Sequence, residues 1–228
     1  FMQEGWHYEL DEETGELRYT GVVYNEMLGV YSDPQALLHG ALEKNLTPDG
    51  TYGRDAGGDP AAIPQLSYEE FVGFHRQLYH PSNARIYLYG DFDVTEKLSH
   101  LQQFLRSYEK LEISAPIITQ PRFNEPRRHQ ASYPVSAGED LENKTFILNA
   151  RLITPATDEV GVMGRAVLAR ILTGTSASPL RKALVDSHLG EDTINYGIQQ
   201  DQLDPYFAVG LRGSEAARIL DEIRAGIP

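Results

Sequence analysis

The 228-residue chain contains no cysteine. That excludes disulfides, thiolate chemistry and Cys-type zinc sites, and it fits a reducing compartment. Long apolar runs are missing too: no stretch approaches the ~20 residues that span a bilayer, so no membrane partner is expected. The start, Phe1-Met2-Gln3-Glu4, is neither basic nor followed by an apolar segment, unlike a signal peptide. Positive charge is scarce. Twenty Lys and Arg stand against 33 Asp and Glu, a net charge of −13. Phosphate backbones are bound by clustered Lys and Arg, which argues against nucleic acid as a partner. An acidic surface favours basic ligands, or serves solubility alone.

Most catalytic signatures are absent as well. There is no Gly-x-Ser-x-Gly elbow, no phosphate-binding loop and no dinucleotide fingerprint. Gly57-Gly58-Asp59-Pro60 lacks the lysine of a phosphate loop and reads as a tight turn that glycine permits. Neither His-Glu-x-x-His nor His-x-x-Glu-His occurs among the seven histidines, His7, His39, His75, His80, His100, His129 and His188. His75 and His80 are about 140° apart around a helix and do not converge. Each histidine reads as a surface or packing residue.

What is present supports a folded core: 41% hydrophobic and 10% aromatic residues. Residues 5–10 and 16–20 read as short strands around a polar turn. A helix over 22–30 follows, then one from Pro34 to about Asn45, announced by Ser32-Asp33-Pro34. Residues 47–66 are a long irregular loop, of a length that is often functional. Ser67 and Glu70 form a capping box for a helix lined by Phe71, Phe74, His75 and Leu78, which Pro81 stops. A strand is expected over 84–90 and a helix over 94–108. Residues 109–128, with Pro116, Pro121 and Pro126, read as an extended linker. Beyond it come strands near 129–135 and 145–153, a helix capped by Thr157 or Asp158 and closed by Gly174, and a helix from Ser178-Pro179 to Gly190. Strands near 192–199 and 205–212 follow, and a last helix capped by Ser214. Paired strands and paired helices give an α+β class, antiparallel sheets with helices packed on one face.

One carboxylate stands out. Val22, Val23, Met27 and Val30 recur at helical steps, and Glu26 falls inside their arc. A buried ionised carboxylate costs several kcal/mol unless it is paired, protonated or bound to a metal. From the residues alone, an Arg or backbone partner and a metal both remain open.

Several segments carry a resemblance. Gln3-Glu4-Gly5-Trp6-His7-Tyr8-Glu9, Thr20-Gly21-Val22-Val23-Tyr24-Asn25-Glu26-Met27, Gly57-Gly58-Asp59-Pro60 and Tyr79-His80-Pro81-Ser82-Asn83-Ala84-Arg85 with Tyr89-Gly90-Asp91 resemble the presequence-protease branch of the M16 (pitrilysin/insulinase) metallopeptidases. So do Ser178-Pro179-Leu180-Arg181-Lys182-Ala183-Leu184 and Tyr206-Phe207-Ala208-Val209-Gly210-Leu211.

In that family zinc sits on an inverted His-x-x-Glu-His motif, with a third ligand from a glutamate downstream. The resemblance makes Glu26 that third metal ligand. The two histidines and the catalytic glutamate are expected upstream of Phe1, so no catalytic residue is assigned in this chain. The implied function is zinc-dependent endopeptidase cleavage of unfolded oligopeptides, with Zn2+ in the intact protein and none expected on this chain alone. Family members enclose a chamber of four related units. Residues 1–108 would be the C-terminal half of the first, 109–128 a linker and 129–228 most of the second. The implied partners are unfolded peptides, basic ones suiting an acidic chamber, and the remaining units of the same polypeptide. Both ends read as cuts, so a fragment is expected. Such a fragment would associate with another copy or be less ordered over 1–108. The alternative is a catalytically inactive M16 homologue acting as a structural or peptide-binding subunit; a standalone peptide-binding domain is a third reading. The setting is a bacterial cytoplasm or, alternatively, a mitochondrial matrix or plastid stroma.

Overall fold

The computed structural model describes residues 5–153 and 155–215. The helix expected after Ser214 lies outside them. Two short strands, β1 (His7–Leu10) and β2 (Leu17–Thr20), form an antiparallel hairpin. Its turn is organised by Asp11, whose carboxylate accepts from the backbone N–H groups of Glu13 and Thr14, both at 3.0 Å. Helix α1 (Val22–Val30) follows, then α2 (Pro34–Leu46), capped by Asp33 accepting from Ala36 N at 2.7 Å. Proline at the first turn costs α2 no hydrogen bond, because that N–H has no helical partner.

The described parts of 1–60 and 117–228 make one compact unit, and residues 61–116 make another. The division expected at 109–128 therefore does not follow the contacts. The segment is irregular throughout, but residues 117–122 are stitched into the first unit. Thr51 N donates to Ile118 O, and Ile118 N to the Thr51 hydroxyl, both at 2.8 Å. Buried Gln120 accepts from Asp49 N through Oε1, donates to Asp49 Oδ2 through Nε2, and gives its own N–H to Asp204 Oδ2. Arg122 caps the carbonyls of Leu152 and Ile153. Proline content marks an extended chain, yet an extended chain still owes its backbone groups partners, and here the neighbouring loops supply them.

The first unit is built on a three-stranded antiparallel sheet in the order β3 (Thr145–Leu152), β5 (Tyr206–Ser214), β4 (Asp192–Gln199). Leu152 faces Tyr206 and Ala150 faces Ala208 across the β3–β5 ladder, and Leu42 and Leu46 of α2 pack against this face. Val209 points the other way, and Asn195 lies opposite it. The Asn195 amide donates to Thr173 O at the end of α5 (Glu159–Thr173), which packs beside α6 (Pro179–Asp186) and β4. The α5–α6 pair thus covers one face, as the alternation of strands and helices predicts. The N-terminal segment contributes α2 to the other. Asp158 caps α5, accepting from Gly161 N at 3.0 Å, and α6 stops at Asp186, short of Gly190.

In the second unit the capping box forms as expected: Ser67 accepts from Glu70 N while the Glu70 carboxylate accepts from Ser67 N, opening α3 (Tyr68–Leu78). Helix α4 (Val94–Leu105) begins at Asp93, which accepts from Glu96 N. Two expected strands are not formed. Residues 84–89 run without ladder partners among the described residues, leaving Ile86, Tyr87, Leu88 and Tyr89 exposed. A run of β-formers becomes a strand only when a neighbour takes its backbone groups. Residues 129–135 likewise join no sheet. There Pro134 lacks a donor, and Tyr133 bonds locally instead, its hydroxyl donating to Lys144 O and its ring meeting Phe146 edge-on at 5.5 Å.

Candidate functional site

Helix α1 is fastened by its neighbours rather than by side-chain caps. At its start, a Cβ on Gly21 would lie 2.7 Å from both Gly5 O and Trp6 Cα, so the close approach of the hairpin backbone requires glycine. Toward its end Met27 is its only buried residue, at 8% exposure. Met27 seats on the Gly57-Gly58 turn, where a Cβ on Gly57 would meet its Sδ at 2.4 Å. Asp55 ties the turn to the chain leaving α1. Its Oδ1 accepts from Gly57 N at 2.9 Å, and its Oδ2 accepts from the Tyr31 hydroxyl at 3.2 Å. The Gly57-Gly58 turn is thus the tight turn that its sequence indicated, with Gly58 at φ +92, and its task is to receive α1.

Glu26, next to Met27, is exposed, and no hydrogen bond or ion pair reaches its carboxylate among the described residues. The expected apolar stripe is buried at one point only. Val22, Val23 and Val30 are exposed with Glu26, because the contacting surface is a narrow turn that covers one side chain. The desolvation that made Glu26 conspicuous in the sequence is therefore absent here.

Burial, with the charges of Asp55 and Asp59 behind it, pushes the Tyr31 hydroxyl up to about 12 from its ordinary value of 10. A raised phenol pKa in the folded state gives stability that is complete below pH 10 and is lost as pH rises toward 12. Urea denaturation between pH 9 and 12 should therefore show wild-type stability falling with pH, and Tyr31→Phe falling less steeply. Parallel curves would remove Tyr31 as the cause.

The histidines do not converge. His39 Nε2 lies 3.0 Å from the Tyr206 hydroxyl, its Nδ1 is 3.9 Å from Glu43, and its ring is edge-on to Tyr196 at 5.4 Å. Gln202 donates to Glu43 at 2.8 Å. This cluster joins α2 to the chain entering β5, and nothing local in the sequence announces it. His75 stacks on Tyr79, and His80 accepts from Ser82 N. Among the described residues no three His, Cys, Asp or Glu side chains are grouped to hold a metal ion. A broad groove of about 820 Å³ opens beside β4 and β5, but its cations are matched within it, Lys144 to Glu139 at 2.8 Å and Arg212 to Asp192 at 2.7 Å.

Similarities to known proteins run along nearly all of this framework. A family model described as the peptidase M16 inactive domain matches residues 65–227. The chain is 44% identical over 216 residues to presequence protease 1, chloroplastic/mitochondrial, of Arabidopsis thaliana, covering 93% of this chain and 20% of that protein. It is 42% identical over 192 residues to protein HypA of Clostridium perfringens (84% and 20% covered) and 35% over 220 residues to the mitochondrial presequence protease of Mus musculus (93% and 21%). The chain thus spans about a fifth of the length of these relatives. Its fold is similar to a protease from Helicobacter pylori, with a TM-score of 0.57 at 20% identity, covering 90% of this chain and 49% of that one. An M16-like peptidase from Alicyclobacillus acidocaldarius aligns with a TM-score of 0.53 at 16% identity, covering 92% and 51%.

Proposed function

The chain belongs to the peptidase M16 family, and from that footing we propose that it is a non-catalytic portion of a zinc-dependent endopeptidase that degrades unfolded oligopeptides. In this reading Glu26 supplies one carboxylate to a metal site completed by other parts of the polypeptide. The observation that carries it is the state of Glu26: an exposed carboxylate, with no hydrogen bond or ion pair among the described residues, on a helix held at Gly21, Met27 and Tyr31. A carboxylate committed to a structural ion pair would look different. Catalytic zinc takes three protein ligands, and the described residues offer no such group. They fit one ligand and not a site, so no catalytic step follows from them. The names of the plant and mouse relatives fit an organellar setting, and the Clostridium perfringens relative fits a bacterial one. The remaining M16 units of one polypeptide are the proposed partners, and residues 1–108 and 129–228 the proposed parts of two units.

Elemental analysis tests this. The 228-residue chain should purify with far less than stoichiometric zinc, and Glu26→Gln in the complete polypeptide should lower zinc occupancy at least about tenfold. Stoichiometric zinc on this chain, or unchanged zinc in the complete variant, would overturn the ligand assignment. A second reading, an inactive M16 subunit, draws support from the family model's description of residues 65–227. Glu26 lies outside that match, so the same zinc measurement separates the two.

A further inference from the structure

Building on the reading of Glu26 as a metal ligand, we propose that the turn at residues 55–58 is the positioning device for that ligand. It fixes the roll of α1, and so the direction in which the Glu26 carboxylate is presented. Nothing within α1 does this. The helix is nine residues long, no side chain caps its start, its first turn has no acidic residue and its last no basic one. A helix so short is marginal in water unless neighbours hold it. At the first end the neighbour is backbone: the hairpin approaches Gly21 so closely that no Cβ fits. That contact places the end of the helix, but a single point does not set its roll.

The roll is set at the other end. Met27 and Tyr31 stand four residues apart, on one side of the helix, and both engage the turn. Met27 is buried, and its Sδ lies 2.4 Å from where a Cβ on Gly57 would be. The Tyr31 hydroxyl donates to Asp55 Oδ2 at 3.2 Å. Asp55 also keeps the turn in shape: its Oδ1 accepts from Gly57 N at 2.9 Å, and its backbone carbonyl from Gly58 N at 3.2 Å. Successive residues are about 100° apart around a helix, so a seated Met27 fixes the azimuth of Glu26. Val22 and Val30 stand four residues to either side of Glu26, and all three are exposed. The clamp thus grips one side of α1 and leaves the side of the carboxylate open. Both Asp55 oxygens are engaged within the protein, which makes it a support for the ligand and not a second ligand. Loss of such a support costs about 10–100-fold in metal affinity.

Zinc affinity of the complete polypeptide, measured by competition with a chelator, tests this. Asp55→Ala removes both side-chain bonds and should weaken zinc at least about tenfold, and Tyr31→Phe removes one and should weaken it severalfold. Asp55→Asn still accepts from Gly57 N and donates to the Tyr31 oxygen, so it should stay within about threefold of wild type. Cobalt in place of zinc should give the wild type and Asp55→Asn the same absorption spectrum and Asp55→Ala a shifted one, because that spectrum reads coordination geometry. In the 228-residue chain, amide hydrogen exchange over α1 should quicken in Asp55→Ala and not in Asp55→Asn. Should Asp55→Ala fail to fold, Tyr31→Phe, which keeps the ring and loses one hydrogen bond, carries the same comparison. Equal loss in Asp55→Asn and Asp55→Ala would assign the effect to charge and sink the proposal. Unchanged zinc affinity in Asp55→Ala and Tyr31→Phe, or unchanged exchange over α1, would sink it too. Glu26→Gln measured alongside keeps the two readings apart. If it lowers zinc binding while Asp55→Ala does not, only the positioning fails; if it leaves zinc unchanged, the ligand assignment itself fails.

Discussion

Alanine at Gly210 is expected to destroy the cooperative folding of the larger unit. Gly210 lies on the central strand, opposite Leu148 in β3 and Ile194 in β4. A Cβ there would sit 1.9 Å from Ile147 O, 2.9 Å from its carbonyl carbon and 3.0 Å from Leu148 Cα. All three atoms are backbone of the neighbouring strand, so no side chain can swing aside. The strands must part or the ladder must shift, and shifting by one residue would turn the β5 side chains to the wrong face. The cost should exceed about 4 kcal/mol, the range reached only by severe steric or cavity defects. Gly40 is the control. It is also glycine, but in α2, where a Cβ meets nothing within 4 Å. Gly40→Ala should stabilise by up to about 1 kcal/mol through helix propensity and the unfolded chain. Denaturation of the two variants by circular dichroism should move in opposite directions. Movement in the same direction would mean that β5 does not sit where the ladder places it.

Truncating Tyr206 should be nearly as damaging for a different reason. It is 1% exposed and packs with Leu152 and Ala208 against Leu42 and Leu46 of α2, while its hydroxyl meets His39. Burial, helped by the charge of Glu43, raises its pKa strongly, so the hydroxyl stays protonated at any ordinary pH. Tyr206→Ala leaves a cavity under α2 and should cost about 3–5 kcal/mol. Tyr206→Phe keeps the ring and loses one hydrogen bond, about 1 kcal/mol. Measured midpoints should separate accordingly, Phe close to wild type and Ala far below. If Phe proved as harmful as Ala, the His39 contact rather than the ring would hold α2 in place.

Local signals in the sequence proved reliable where the deciding interaction is itself local. Asp33, Ser67, Asp93 and Asp158 each accept from a backbone N–H three residues on, and each helix starts where such a cap predicts. The hairpin turn and the strands β3, β4 and β5 were legible for the same reason, in turn chemistry and alternation. The segments 84–90 and 129–135 show the limit. Their composition suits strands, but a strand exists only as a pair, and composition says nothing about a partner. Gln120 shows the converse. It stands among prolines in a stretch that reads as a spacer, yet it is buried because Asp49 and Asp204 come to it from distant parts of the chain.

Glu26 divides the two kinds of knowledge most clearly. Sequence alone determined that it lies on a helix, within a run of residues that resembles the M16 family, and that resemblance is what proposes it as a metal ligand. Its exposure and its lack of a partner among the described residues were settled only by the tertiary structure. Hydrophobic stabilisation depends on the area that a neighbour removes from water, and the neighbour of α1 is a glycine turn narrow enough to cover Met27 alone. The same dependence leaves the aromatic face of the hairpin open. Its alternation is written in residues 6–20, but whether that face is buried rests on what the rest of the molecule brings against it.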